Sequence, residues 1–104
     1  MTKLSKAERD LKDFEDVFWA VSHASRRHVL VVLNARGGRM SAGEIASRFS
    51  CSWPTTTRHL KVLERAGLVE LKKEGRENFY ELQHSRLGRI RDWLNWFNEE
   101  KSHE

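Results

Sequence analysis

The chain has 104 residues, of which 38% are apolar and 33% charged, and its formal net charge is +4. This length fits one domain spanning residues 1–104, excludes a second domain that is stable alone, and the apolar fraction excludes a fully disordered chain. No stretch has the roughly 18 uncharged apolar residues of a membrane span, and residues 1–10 lack a signal-peptide core, so we expect a cytoplasmic protein with no membrane partner. The single cysteine, Cys51, allows neither an internal disulfide nor a paired-thiolate metal site.

The first half of the chain predicts three helices. Apolar residues at helical spacing mark a first helix over about Lys6–Ser22. Ser25 is predicted to cap a second helix, which stops at the glycine pair 37–38. Ser41 followed by Glu44 forms a capping box at the start of a short third helix. The apolar side chains expected to face inward from this helix are Ile45, Ala46 and Phe49.

A fourth helix is predicted three or four residues after the third. The short link at Ser50 and Cys51 leads to the cap Ser52, and Pro54 is tolerated in the first turn. Its buried face is expected to carry Leu60 and Leu63, and its end is expected at Gly67, where a left-handed residue commonly stops a helix.

The remaining segments predict a hairpin and a fifth helix. Residues Leu68–Lys73 and Asn78–Gln83 alternate apolar with polar side chains around a turn at 74–77, as the two strands of a hairpin do. Apolar residues at helical spacing mark the last helix over about Ser85–Lys101. The sequence therefore predicts an α+β, mostly α fold of about five helices and a two-stranded hairpin.

Two helices joined by a tight turn and followed by a hairpin are typical of proteins that read DNA, with the second helix in the major groove and the hairpin on the neighbouring backbone or minor groove. Positive charge is concentrated in that part of the chain. The basic residues there are Arg58, Lys61, Arg65, Lys72, Lys73 and Arg76. Since Lys and Arg attract phosphates, the position of these charges predicts double-stranded DNA as the partner.

The stretch Ser52–Val69 resembles the recognition helix of the arsenic-repressor-like (ArsR/SmtB) winged helix-turn-helix regulators. The segment 25–27 (Ser-Arg-Arg) resembles the opening of that family's second helix, and the segment 74–76 (Glu-Gly-Arg) with Tyr80 and Leu82 resembles its wing. The resemblance covers roughly residues 17–97. It implies a homodimeric transcriptional repressor that occupies an inverted-repeat operator, in the cytoplasm and on the nucleoid when bound.

The resemblance and the helix position together predict which residues meet DNA. Thr55 and Thr57 are expected to bond phosphates or base edges and Arg58 to pair with guanine, whereas His59 resembles a family position that faces DNA. Trp53 stands where relatives often have a glutamine, and it is expected either to contact thymine methyls or to pack on a sugar. Backbone contacts are expected from Ser52 and Lys61, and Arg76 in the wing is expected to meet the phosphate backbone or a narrow minor groove.

Apolar and aromatic residues crowd the predicted last helix, more than a small monomer easily covers. The resemblance implies a dimer formed by the first and last helices, and the first helix of a partner would cover this surface. The predicted interface residues are Phe14, Phe18, Ile90, Trp93, Leu94 and Phe97. An alternative is that the aromatic stripe lines a pocket for a small molecule.

Metal sensing and catalysis are not expected. The family's thiolate site uses two cysteines at the start of the third helix, where this chain has Ser41 and Gly43, and its last-helix site is reduced to Asp92 and His103. We therefore expect no metal and no cofactor. Cys51 is expected to pack in the turn, with a redox role as the alternative.

The histidines do not pair at catalytic spacing, and we expect no enzyme. Two alternatives to a constitutive repressor stay open. One is a sensor repressor that responds to an organic ligand or a redox signal. The other is a winged helix used as a protein-interaction module.

Overall fold

The computed structural model describes residues 3–49 and 52–98. Within these ranges the chain forms five helices and one three-stranded antiparallel sheet. The helices are α1 (Lys6–Val21), α2 (Ala24–Ala35), α3 (Ala42–Arg48), α4 (Trp53–Arg65) and α5 (His84–Asn95), and the strands are β1 (Arg39–Ser41), β2 (Val69–Glu74) and β3 (Glu77–Leu82). The predicted α+β, mostly α class is confirmed.

Capping boxes start α1 and α3. In α3 the Ser41 hydroxyl accepts the backbone N–H of Glu44, and the Glu44 carboxylate accepts the backbone N–H of Ser41, both at 3.1 Å. These hydrogen bonds lower the pKa of Glu44, since they favour the charged carboxylate. The predicted box is confirmed, but the expectation that Ala46 faces inward is wrong: Ala46 is exposed, because so short a helix turns only the Ile45 and Phe49 side of its surface toward the core.

The prediction of Ser25 as the cap of α2 is also wrong. The cap is His23, whose extended backbone (φ −98°, ψ 130°) lets its Nδ1 accept the backbone N–H of Ser25 at 3.1 Å. Its carbonyl oxygen accepts the backbone N–H groups of Arg26 and Arg27 at 3.1 Å each. Histidine is not one of the residue types usually found at a helix N-cap, so residue preferences alone favour Ser25.

Both predicted ends of α4 are confirmed. The hydroxyl of Ser52 accepts the backbone N–H of Thr55, and Pro54 lies in the first turn. At the other end Gly67 has a φ of +75°, a conformation that allows the Leu68 N–H to reach the carbonyl of Leu63 at 3.0 Å.

The sheet contains one strand more than the sequence predicts. Strands β2 and β3 form the predicted hairpin, with Gly75 (φ +60°) and Arg76 in its turn. Strand β1 pairs antiparallel with the other edge of β3 and places Met40 opposite Tyr80. The predicted hairpin is therefore confirmed, and β1 is an additional strand that the sequence does not predict, because β1 has three residues and a strand that short shows no readable alternation.

The core lies between the helices and the inner face of the sheet. Its buried apolar side chains are Val17, Ala20, Val29, Leu30, Leu33, Met40, Ile45, Leu60, Leu63, Ala66, Leu68, Val69, Tyr80 and Leu82. Burial of Leu60 and Leu63, predicted from their spacing, is confirmed. No helix in the described ranges is long and apolar enough to cross a membrane.

Helix α5 lies against α1 at the edge of this core. It ends at Asn95, earlier than the predicted Lys101, which lies outside the described residues. None of its residues is fully buried. Two ion pairs join the helices, from Arg86 to Asp13 at 3.3 Å and from Arg89 to Asp10 at 4.0 Å. Since exposed pairs contribute about 1 kcal/mol at most, α5 is held mainly by apolar contact along one side.

A pair of glycine substitutions tests the end of α4. We expect Gly67→Ala to destabilise the fold, because its positive φ strains an alanine and the added methyl group would lie 3.1 Å from Cγ of Arg86. Gly43→Ala is the matched control, since the φ of Gly43 is ordinary and its nearest neighbour lies 3.9 Å away. There alanine is expected to stabilise helix α3 by up to about 1 kcal/mol. Urea unfolding of both variants measures the change in the free energy of unfolding, and equal changes in the two variants would contradict the prediction.

Candidate nucleic-acid interface

Helices α3 and α4 form the helix-turn-helix, with residues 49–52 between them. The buried side of α4 fixes which side faces outward. Leu60 and Leu63 have no exposed surface, and Thr56 is 2% exposed while its hydroxyl donates to the carbonyl of Ser52 at 3.1 Å. The predicted packing of Cys51 in the turn lies outside the described residues.

The exposed face of α4 is a basic stripe. Pro54, Arg58, Lys61 and Arg65 follow one another at intervals of four, three and four residues, and all four are exposed. No described acidic side chain forms a salt bridge with any of the three cations. This stripe therefore offers charge that is available to a partner, with Trp53, 44% exposed, at its beginning.

The two threonines predicted to meet DNA differ in what they present. Thr55 is half-buried, and its Oγ1 accepts the hydroxyl of Ser52 at 3.0 Å. Ser52 is itself exposed at the start of the helix. The Oγ1 of Thr57 is buried and has no hydrogen-bond partner in the described part of the chain. As the side chain is placed, Thr57 does not present its hydroxyl to a ligand.

His59 faces helix α2 and is only partly exposed. Its ring centroid lies 4.6 Å from that of His23, and its Nδ1 lies 3.4 Å from Nη1 of Arg26. The pKa of His59 is lowered, first by desolvation and then by the positive charge of its neighbours. The structure thus places this predicted DNA contact at a junction between two helices, on a different side of α4 from the basic stripe.

The wing adds cations of its own. Arg76 is exposed in the hairpin turn, and Lys73 is exposed on β2 before it. Lys72 forms an ion pair with Glu70 at 3.3 Å, so its charge is partly neutralised. Seven of the predicted residues therefore lie on α4 or at its cap, although the Thr57 hydroxyl is buried and His59 faces α2, and the eighth, Arg76, lies on the hairpin.

Four of the six predicted dimer residues form a row of ring contacts where α1 meets α5. Phe14 contacts Phe18 (4.8 Å between ring centroids), Phe18 contacts Trp93 (5.2 Å), and Trp93 contacts Phe97 (5.0 Å). Phe97, the last ring of the row, is 66% exposed. Further exposed apolar side chains on these two terminal segments are Leu11 (64% exposed), Trp19 (66%), Leu94 (56%) and Trp96 (83%).

Ile90 is placed differently from the rest of that set. It is half-buried and lines a groove of about 540 Å³ between α2 and α5, together with Leu30, Val31 and Leu87. The groove is mostly apolar, with Arg27 and His84 also among its lining residues. Within the described residues no three histidine, cysteine or acidic side chains are grouped so that they could hold a metal ion.

Sequence reasoning missed the junction around His59. Arg26 is only 6% exposed, and its guanidinium donates to the carbonyls of Ala20 at 2.7 Å and Trp19 at 3.1 Å. An arginine in a basic segment is normally expected in solvent. One signal in the sequence does indicate that Arg26 is buried: it lies three residues before Val29, on the apolar side of α2.

This chain is similar to known regulators over most of its length. A family profile described as a helix-turn-helix domain matches residues 21–72. The transcriptional repressor SdpR of Bacillus subtilis (strain 168) is 36% identical over 81 residues, which cover 78% of this chain and 84% of the relative. The arsenical resistance operon repressor of Staphylococcus aureus is 31% identical over 87 residues, covering 84% and 82%. A solved ArsR-like transcriptional regulator from Rhodococcus sp. RHA1 is 29% identical, with a TM-score of 0.73 and coverage of 91% and 88%.

Neighbouring threonines provide a test of the placement of α4. We expect Thr57→Val to leave stability unchanged or raise it, because the substitution removes a buried hydroxyl that has no described partner. Thr56→Val is expected to cost about 1 kcal/mol, since it removes the hydrogen bond to Ser52. Thermal unfolding of both variants gives the comparison. A larger loss for Thr57→Val would mean that its hydroxyl has a partner in the folded protein.

Proposed function

Because this chain belongs to the ArsR/SmtB-like family of winged helix-turn-helix transcriptional regulators, we propose that it is a repressor that binds operator DNA as a homodimer. Its work is binding and not catalysis. In this proposal α4 enters the major groove, the wing lies on the adjacent backbone or minor groove, and the bound dimer excludes polymerase from the promoter. The protein acts in the cytoplasm, on the nucleoid.

The observation that carries the proposal is the division of α4 into two faces. One face is buried in the core through Leu60 and Leu63, so the helix is held rigidly. The opposite face carries Arg58 and Lys61, which have no acidic partner in the described ranges and so keep their charge for phosphates and base edges. A protein-interaction module would not need cations on that face.

Within this site the residues have different roles. Arg58 lies in the second turn of α4, where a long side chain reaches base edges, and guanine is the base that arginine contacts most often. Lys61 lies one turn further and Arg76 lies in the hairpin, which suits them to phosphates. Trp53 offers an exposed aromatic surface for thymine methyls or sugars, beside the hydroxyls of Ser52 and Thr55.

A homodimer explains the aromatic surface where α1 meets α5. The Cα radius of gyration is 16.0 Å, against about 13 Å for a compact domain of this length. A second copy would cover Trp93, Leu94, Trp96 and Phe97, whose exposed surface is large for a monomer. Twofold symmetry then places two α4 helices on an inverted repeat, with half-sites about one helical turn apart.

The substitution Arg58→Ala tests whether Arg58 contacts a base in the major groove. We expect affinity for the upstream DNA of the gene to fall by about 1 to 3 kcal/mol while affinity for a scrambled duplex barely changes, as the loss of a base contact requires. Fluorescence anisotropy titrations on both duplexes at two salt concentrations give the measurement. Arg9→Ala, an exposed arginine on α1, is the matched control and should bind as the wild type does.

Other outcomes of that titration are informative. Equal losses on both duplexes would make Arg58 a phosphate contact. Equal and weak binding of the wild type to both duplexes would contradict the operator proposal and favour the protein-interaction module or a repressor that needs an effector.

Two tryptophans of similar exposure test the dimer. Trp93 is 40% exposed beside Phe18 on the α1–α5 surface, and Trp53 is 44% exposed at the start of α4. We expect Trp93→Glu to convert the dimer to a monomer, because a carboxylate would be buried there without a partner. Trp53→Glu should leave the dimer intact. Sedimentation velocity reports the mass, and circular dichroism confirms that both variants fold; a Trp93→Glu variant that is still dimeric would contradict the interface.

A further inference from the structure

Arg26 is a buried arginine whose partners are not acidic. It is 6% exposed, and within the described residues it forms no salt bridge. Instead its Nε and Nη2 donate to the carbonyls of Ala20 and Trp19 in the last turn of α1, where the helix dipole is negative. Its guanidinium carbon also lies 5.5 Å from the centre of the Trp19 ring. Arg26 therefore fixes the corner between α1 and α2.

The remaining nitrogen of the same guanidinium reaches the recognition helix. Nη1 of Arg26 lies 3.4 Å from Nδ1 of His59 on α4. A guanidinium has only donors, so this nitrogen of His59 must be the acceptor and must carry no proton. The contact therefore needs a neutral imidazole with its proton on Nε2.

The charged and titratable groups around His59 disfavour a second proton. His23, at the start of α2, lies 4.6 Å away between ring centres, and its own Nδ1 is occupied by the N–H of Ser25. Arg26 of α2 and Arg58 of α4 add positive charge. No acidic group contributes to this environment among the described residues. Burial and these neighbours lower the pKa of His59.

We propose that the contact between Arg26 and His59 positions the recognition helix against the α1–α2 corner, and that protonation of His59 breaks it and weakens DNA binding. The proposal rests on the proposed function. It connects α1, one of the two helices of the aromatic surface, to the helix that reads DNA. Arg26 and His59 are positioning residues in it, and neither is required to touch DNA.

The expected sign is the opposite of the ordinary charge effect. Added positive charge near DNA normally tightens binding, because phosphates attract it. If protonation instead breaks a positioning contact, the affinity for DNA falls as the pH is lowered. Linkage limits the fall to about tenfold for each pH unit below the pKa of His59 in the free protein. The same sign holds for folding: a lowered pKa means that stability is complete above the unfolded value near 6.5 and declines as pH falls below it.

The test compares anisotropy titrations on upstream and scrambled duplexes at pH 7.5 and pH 5.5. Wild type is expected to lose affinity for the upstream duplex at the lower pH. His59→Asn is expected to lose much less, because its amide oxygen accepts from Arg26 and does not titrate. His28→Asn is the matched control: His28 is an exposed residue of α2 that packs on Phe49, and its variant should lose affinity as wild type does. Circular dichroism at both pH values checks folding.

If the wild type prefers the upstream duplex at pH 7.5, each other outcome of this comparison overturns the inference. Tighter wild-type binding at pH 5.5 would mean that charged His59 contacts phosphate. Equal losses for wild type and His59→Asn would assign the pH effect to another group. No preference for the upstream duplex at pH 7.5 would count against the proposed function, and the positioning contact is then decided without DNA by nuclear magnetic resonance.

In that measurement the His59 ring and the backbone amides of α2 and α4 are followed through a pH titration. The amides around residues 23–26 and 58–60 should shift with the midpoint of His59, and Arg26→Gln should raise that midpoint because it removes a positive charge. Arg26→Lys keeps a charge at this position and should leave the midpoint low; it also serves if the glutamine variant does not fold. A midpoint that stays unchanged in Arg26→Gln would overturn the proposed contact.

Discussion

The packing of α4 against the core is the constraint on which the rest of this molecule depends. Leu60, Leu63 and Thr56 hold one side of the helix, so its rotation about its own axis is fixed. The cap at Ser52 and the left-handed Gly67 fix where it begins and ends. Because position and rotation are both determined, the cations of the opposite side form one stripe and are not scattered. A rigid helix also loses little entropy on binding.

Charge is divided between the two ends of the fold. Acidic residues of α1 pair with arginines of α5, which leaves the α1–α5 junction close to neutral. Cations of α4 and of the hairpin turn have no such partners among the described residues. A net charge of only +4 is therefore compatible with a strongly basic face. The neutral end is the aromatic one, which suits contact with a second copy of the chain.

Arg26 occupies the space between these two ends. It reaches the end of α1 with two of its nitrogens and the recognition helix with the third. Both helices therefore contact a single side chain whose charge is balanced, among the described residues, by carbonyl dipoles, the Trp19 ring and an imidazole. A change in that imidazole is a local event, but the helix that carries it also carries Arg58 and Lys61.

The sequence by itself determined the elements whose signals are local: the capping box at Ser41, the cap at Ser52, the glycine at the end of α4, the hairpin, and the alternation of buried and basic residues on α4. Tertiary structure decided the rest. Strand β1 exists only because β3 offers it an edge, and His23 caps α2 because its backbone is extended at that corner. Tertiary structure also places His59 beside Arg26 and buries the hydroxyl of Thr57. Helical spacing tells which side of α4 is buried, but neighbours distant in sequence decide what each side chain meets.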